Sequence, residues 1–410
     1  MSASKTAVPS RSHLTSLMYS LPVRRLKEIL SHVVPDASLG AVEQVASTQL
    51  PRLYNLNMSD DRQLLLSFAP SLAVRLLRQE GTILSSEAIL IYFISASTRS
   101  LKIEGSPSSE TEIPNSTSLL DVVPKILKHS SNNREMAYPY SIFEPTAGAP
   151  LSTLSIYLSI PDRRVVDKQV GSMVRALALL TSPTGTFGTA SRVLPDPFNG
   201  ASSTAPPIAG SSTWSEAFNT LLEGILRDGE DMAVLLPYDT IRSHYQRLSF
   251  HLDTVTFPRL VVLDASSETN VMVERTAEEP SLGSSSTGAK FTGLRSWSQG
   301  VFGDPLLCEA FEDPSEGFLE GWQEGGEDET GDEVNLEIRS LFYRCYRASV
   351  GVVTQYYRPQ VDSSRRELEA RRKLTNVLAE LARVEAAETS LLKRPRSPSG
   401  EAESAKRLKC

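Results

Sequence analysis

The segment from Leu260 to Asp304 constrains this chain more than any other. It opens with an apolar run, LVVL, that ends on an acid, Asp264. It continues through the polar turn ASSETN to a second apolar run, VMV. A Gly/Ser/Thr-rich stretch follows, and then FTGLRSWSQGVFGDP. Short apolar runs bounded by polar turn residues read as strands, so the segment predicts a hairpin-like arrangement with a polar tip. Asp264 and Asn270 stand at that tip. The plain role of such an acid is to end its strand and bond the N–H groups of its own turn.

The rest of the chain supplies ample material around this segment. Its 410 residues allow two domains, or one large two-lobed domain with a sizeable core. A hydrophobic content of 40% and a charged content of 22% are those of a globular protein. A net charge of -7 gives no general attraction to nucleic acid or to a membrane surface, so direct binding to either is not expected. Cys308, Cys345 and Cys410 are odd in number and far apart. They form neither a disulfide framework nor a zinc spacing, which suits a reducing compartment. The first residues, MSASKTAVPSRSHLTSLMYSL, have no long apolar core, and no run reaches membrane-spanning length. The expectation is a soluble protein of the cytoplasm, the nucleus or both.

Periodicity predicts the elements in order. Residues 1–13 read as disordered, and a helix follows to Val34 with Pro22 near its first turn. AVEQVASTQLPRLYNLNM and RQLLLSFAP read as two or three strands with a turn at MSDD. Ser71–Ser97 reads as one helix, Glu104–Ser118 as a polar loop, and LLDVVPKILKH as a short helix. Tyr138–Leu154 reads as a strand-to-helix connection containing Glu144 and Gly148. Helices are predicted over Asp162–Thr181, from Ser212 or Thr213 to about Arg227–Gly229, over PYDTIRSHYQRLSFHLD, over Val334–Tyr357, and within 359–392. The acidic insert Glu312–Glu333 reads as a solvated loop without EF-hand spacing. The tail carries two basic clusters, Lys393–Arg396 and Lys406–Lys409, in the pattern of a bipartite nuclear localisation signal. Nuclear import machinery is therefore an expected partner, and phosphorylation of Ser397, before Pro398, would place negative charge between the clusters.

The Asp264–Asn270 turn, with the strands around it, resembles the catalytic segment of the aminoglycoside phosphotransferase/choline-kinase type of kinase-like fold. Trp214, Phe218 and the LRDGED string are similar to fungal members. The resemblance implies an α+β, protein-kinase-like two-lobed fold. It divides the chain into a small β-rich N-lobe (14–137), a linker (138–150), a larger helical C-lobe (151–358), a C-terminal helix (359–392) and a disordered basic tail (393–410). It also implies roles in Mg-ATP chemistry. Asp264 would be the catalytic base and Asn270 a metal ligand. Glu87 would partner the phosphate-binding lysine, and the linker around Glu144 and Gly148 would meet the adenine edge.

The motifs depart from that pattern at the charged positions. STQLPRL has no glycine where a phosphate-covering loop needs close backbone approach. Ser67 stands in place of the lysine, Ser296 in place of the second metal-binding Asp, and Val262 in place of the His. Asn270 falls one residue further along than the family spacing, and Asp304 of the GDP string is mostly structural in the family. One well-placed electrostatic group contributes roughly 2.7–4 kcal/mol to a barrier. The expectation is a degenerate, pseudokinase-type relative with a binding or regulatory role toward a protein or small molecule. The alternative is an ATP-dependent phosphotransferase acting on a hydroxyl- or amino-bearing compound with Asp264 as base. A third reading is a cleft reused for non-phosphoryl chemistry. The five histidines show no metal spacing, and no nucleophile elbow, Walker loop or dinucleotide fingerprint is present.

Overall fold

A computed structural model of the chain describes residues 21–45, 49–104, 119–131, 134–198, 210–275, 288–324 and 333–392. The N-terminal segment expected to be disordered, most of the polar loop after Glu104, the Gly-rich half of the acidic insert and the basic tail lie outside the described residues.

A five-stranded antiparallel sheet forms the first layer. Its strands are β1 (Leu39–Val45), β2 (Arg52–Met58), β3 (Gln63–Phe68), β4 (Ile126–Ser130) and β5 (Tyr140–Phe143), in spatial order β1-β2-β3-β5-β4. Alternation along β3 decides its two faces. Leu64, Leu66 and Phe68 point toward helix α1 (Val23–Val33), whose Leu26 and Leu30 complete a small core. Leu65 packs on the opposite side, against the core of helix α2 (Ile83–Glu104). Ser67 is on that side too, facing the rest of the molecule.

Two predicted helices are corrected here. The helix predicted from Ser71 begins only at Ile83. The apolar and charged residues before it are spent on tertiary contacts: Leu77 enters a distant core, the Arg78 N–H donates to Asp228, and Arg358 holds Glu80 through two bonds of 2.7 and 2.8 Å. LLDVVPKILKH is not one helix. A single turn, Leu119–Val122, stops ahead of Pro124, and β4 follows in register with β5.

Among the described residues, the larger part is built on helices α3 (Ile160–Ala178), α4 (Trp214–Asp231), α5 (Tyr238–Leu248), α6 (Glu316–Gln323), α7 (Glu333–Tyr357) and α8 (Ser363–Leu392). The helix α6 corrects the expectation that the acidic insert is loop throughout. Ser315 caps it by accepting the Phe318 N–H, and it packs tightly along α3. A Cβ on Gly321 would lie 1.9 Å from the Lys168 carbonyl oxygen, so only glycine permits this approach. Helices α4, α5, α7 and α8 enclose a second core around Trp214 and Phe218. Trp214 Nε1–H donates to the Tyr343 hydroxyl at 2.7 Å, and that hydroxyl donates to Asp304 at 2.6 Å. Arg339 pairs with the same carboxylate at 3.1 Å, so Asp304 is a buried structural hub.

Strands β8 (Arg259–Val262) and β9 (Val271–Arg275) flank the Asp264 turn. They do not pair, which corrects the expected hairpin. β11 (Gly300–Gly303) pairs with β8 and with β7 (Gly188–Thr189), and β9 pairs with β10 (Ala289–Leu294) and β6 (Ala149–Pro150). The turn therefore bridges two small sheets, and the true hairpin is β9–β10.

Candidate functional site

Two loops meet where the sheet layer joins the helices. One is the turn 263–270 and the other is Arg295–Gln299. Asn270, 2% exposed, ties them together. Its Oδ1 accepts the Ser296 N–H at 2.8 Å, and its Nδ2 donates to the carbonyls of Ser296 at 3.0 Å and Asp264 at 3.2 Å. The Arg295 N–H donates to the Asn270 carbonyl at 2.8 Å. Every polar group of the Asn270 side chain is thus engaged by backbone.

Asp264 leaves the same turn toward the helices. Its Oδ2 accepts from Gln299 Nε2 at 3.2 Å, and its Oδ1 is enclosed with no hydrogen-bond partner. Burial, with the nearby Glu309 carboxylate, pushes the Asp264 carboxyl up to about 7. Burial likewise raises Glu309 to about 7, against the pull of Arg347. Both acids line a pocket of 390 Å³ between this turn and helices α7 and α8. Lys373, Arg347 and Arg366 also line it, the first two held by Glu312 at 3.0 and 2.9 Å and the third by Asp362 at 2.7 Å.

On the sheet side, Glu87 of α2 reaches the second loop, where its Oε1 accepts the Trp297 N–H at 3.0 Å. Burial raises its pKa, opposed by that N–H and by the Ser296 hydroxyl. Ser296, 6% exposed, turns its hydroxyl to Ser298 Oγ at 3.0 Å. Ser67, 2% exposed, faces a crevice shared with Glu87 and Arg295, and its Oγ has no partner. That crevice encloses 20 Å³, about the space of one water.

Glu144 stands at the edge of the crevice, paired with Lys125 at 2.7 Å. Gly148 lies beyond it with φ +87°, its backbone pressed so closely on β9 that a Cβ would meet the Val273 oxygen at 2.3 Å. The structure thus gathers Ser67, Glu87 and Glu144 around one crevice and places Asp264 at another pocket, while Asn270 and Ser296 join the two loops between them. Sequence reasoning missed Glu309, Gln299 and Arg295. Arg295 and Gln299 lie within the FTGLRSWSQGVFGDP string already singled out and Glu309 just beyond its end, but no spacing rule marks which side chains turn inward. Among the described residues, no group of three or more His, Cys, Asp or Glu is placed to hold a metal ion.

No family model matches the chain, and no curated protein matches it. Solved structures do. A protein from Ralstonia eutropha assigned as an aminoglycoside phosphotransferase superposes with a TM-score of 0.54 at 11% identity, over 89% of this chain and 99% of that one. A protein from Haemophilus somnus assigned as a fructosamine-3-kinase gives 0.53 at 13% identity, over 86% of this chain and 97% of that one. Another of that assignment, from Thermobifida fusca, gives 0.53 at 14% identity, covering 87% and 98%. The fold is the protein-kinase-like one. The five-stranded sheet with α1 and α2 is the β-rich N-lobe of this kinase-like fold, and α3–α8 make the larger, helical C-lobe. The crevice of Ser67 lies between the lobes, and the pocket of Asp264 lies within the C-lobe. No described helix is long and apolar enough to cross a membrane.

Proposed function

We propose that this chain is a kinase-fold protein without Mg-ATP phosphotransfer, which acts as a binding or regulatory protein through the pocket beneath Asp264. The observation that carries the reading is the hydrogen bond from Trp297 N–H to Glu87 at 3.0 Å. Phosphoryl transfer depends on positioned cations that neutralise the phosphates. At the position of the phosphate-binding lysine stands the orphaned hydroxyl of Ser67, so Glu87 turns to backbone instead. Ser296 offers a neutral hydroxyl where a hard cation needs a carboxylate, and that hydroxyl is bonded to Ser298. Asn270 has its amide oxygen on the Ser296 N–H. The residues present do not fit a magnesium–triphosphate.

The pocket beneath Asp264 retains chemistry of its own. Its 390 Å³ suits a small molecule. Among the described residues, Asp264 has no cation of its own there, the pull of Arg347 on Glu309 is shared with Glu312, and Lys373 and Arg366 are paired with Glu312 and Asp362. An ammonium group would restore both carboxylates to their charged form, so an amine-bearing compound is the class of ligand that the pocket favours. A second reading, phosphotransfer with Asp264 as base, has one observation in its favour: a carboxyl near 7 facing open space is poised for proton transfer.

Calorimetry with ATP, with and without magnesium, together with an assay for nucleotide turnover over a panel of amines and amino sugars, decides between them. The expected result is no magnesium-dependent ATP binding and no turnover. Turnover that disappears in Asp264→Ala would overturn this reading in favour of the second.

A further inference from the structure

The crevice between the lobes holds a charge that the proposed function does not use. Arg295 is half-buried and lines the crevice with Ser67, Leu53, Leu65, Ile91 and Phe143. Among the described residues its guanidinium has no carboxylate partner and no hydrogen bond. Burial alone acts on it and pulls its pKa below the usual arginine range. The two acids that share the crevice are engaged elsewhere. Glu144 is paired with Lys125 at 2.7 Å, and Glu87 accepts the Trp297 N–H while burial holds its carboxyl toward the neutral form. Ser67, 2% exposed and with an orphaned hydroxyl, lines the same crevice.

A half-buried cation without a counter-ion and a buried hydroxyl without a partner each cost folding free energy. One guest relieves both: an oxyanion, which accepts from the guanidinium fork and from the hydroxyl together. The remaining walls are the apolar side chains of Leu53, Leu65, Ile91 and Phe143, which suit a flat apolar body.

We propose that the inter-lobe crevice is a metal-independent anion site, in which Arg295 and Ser67 hold the oxyanion of a small molecule whose flat apolar part lies against Leu53, Leu65 and Phe143. The charge logic of a metal–phosphate site is thereby reversed. A protein-borne cation replaces the divalent ion, and no carboxylate is left free to recruit one. At 20 Å³ the closed crevice admits little more than a water, so binding requires the N-lobe strands to move away from the Arg295 loop. This site is separate from the pocket beneath Asp264.

The test titrates the full chain, in EDTA, with phenyl phosphate, benzoate and inorganic phosphate, read by calorimetry and by ligand-observed NMR. Phenyl phosphate or benzoate should bind more tightly than inorganic phosphate, and the tighter of the two identifies the oxyanion. Added magnesium should leave the affinity unchanged. Arg295→Gln should weaken binding by roughly tenfold or more, the loss expected for one charge-assisted hydrogen bond. Arg295→Lys, which keeps the charge and tests whether the position tolerates change, should weaken it less. The proposal is overturned by no binding of any of the three probes, by binding that appears only with magnesium, or by binding indifferent to both substitutions. None of these outcomes bears on magnesium-dependent turnover, so failure here is distinct from failure of the proposed function.

Discussion

Asp264→Asn is the substitution whose outcome the structure specifies most closely. The Asp264 carboxyl stands at about 7 against an ordinary value of 3.8, because burial and the Glu309 carboxylate both disfavour its charge. In the unfolded chain it ionises near its ordinary value, whereas in the folded chain it keeps its proton until about pH 7. Between those two values the folded state binds more protons than the unfolded state, so stability falls as pH rises through that window and levels off above it. At about 1.36 kcal/mol per pH unit, the full effect is about 4 kcal/mol. Part of the residue faces the solvent-filled pocket, and screening reduces this to about 2 kcal/mol. Asparagine keeps the shape, removes the charge, and can still bond Gln299 if that amide turns. Urea unfolding of the variant should match the wild type at about pH 4 and exceed it by about 2 kcal/mol at about pH 8. Equal or lower stability of Asp264→Asn at the higher pH would refute the argument. It would mean that the acid already has a counter-charge, and the case for an amine-binding pocket would fall with it.

Two further outcomes follow from the loops and from the lobe contact. Glu87→Gln should be close to neutral at pH 7, because an amide oxygen can accept the Trp297 N–H as the carboxyl does, whereas Glu87→Ala should cost about 1–3 kcal/mol by orphaning that donor. A Gln variant as unstable as the Ala variant, in chemical denaturation, would show that Glu87 is ionised and charge-paired. Glu80→Ala removes the acid that Arg358 grips through two bonds, both side chains being mostly buried. It should cost about 2 kcal/mol or more and speed hydrogen exchange across residues 71–80, and unchanged exchange there would show that this contact does not fasten the segment.

The elements most legible in the sequence were those whose burial pattern is local. Helix α3 shows Val166, Val170, Met173, Val174 and Leu177 along one side, and those residues are buried as that spacing requires. Helix α4 begins at the cap that the sequence marks, with Thr213 accepting the Glu216 N–H. It runs on to Asp231, past the stop read at Arg227–Gly229. The errors fell where partners outside the segment decide. Ser71–Glu80 has helical periodicity but is drawn out by Asp228, Asp231 and Arg358, none of them within 140 positions in the sequence. The strand β4 has the composition of a short helix and is settled by pairing with β5.

The sequence by itself determined the main helices and the absence of charge at Ser67 and Ser296, because periodicity and residue identity are properties of the string, whereas the two-lobed scaffold was implied only by resemblance. It could not say where the remaining charges point. That Glu309 stands beside Asp264, that Asn270 is consumed by two backbone loops, and that Arg295 lies half-buried in the same crevice as an orphaned Ser67 were decided only by tertiary structure. The physical reason is that burial sets the sign and strength of an electrostatic interaction, and burial arises from segments far apart in the chain.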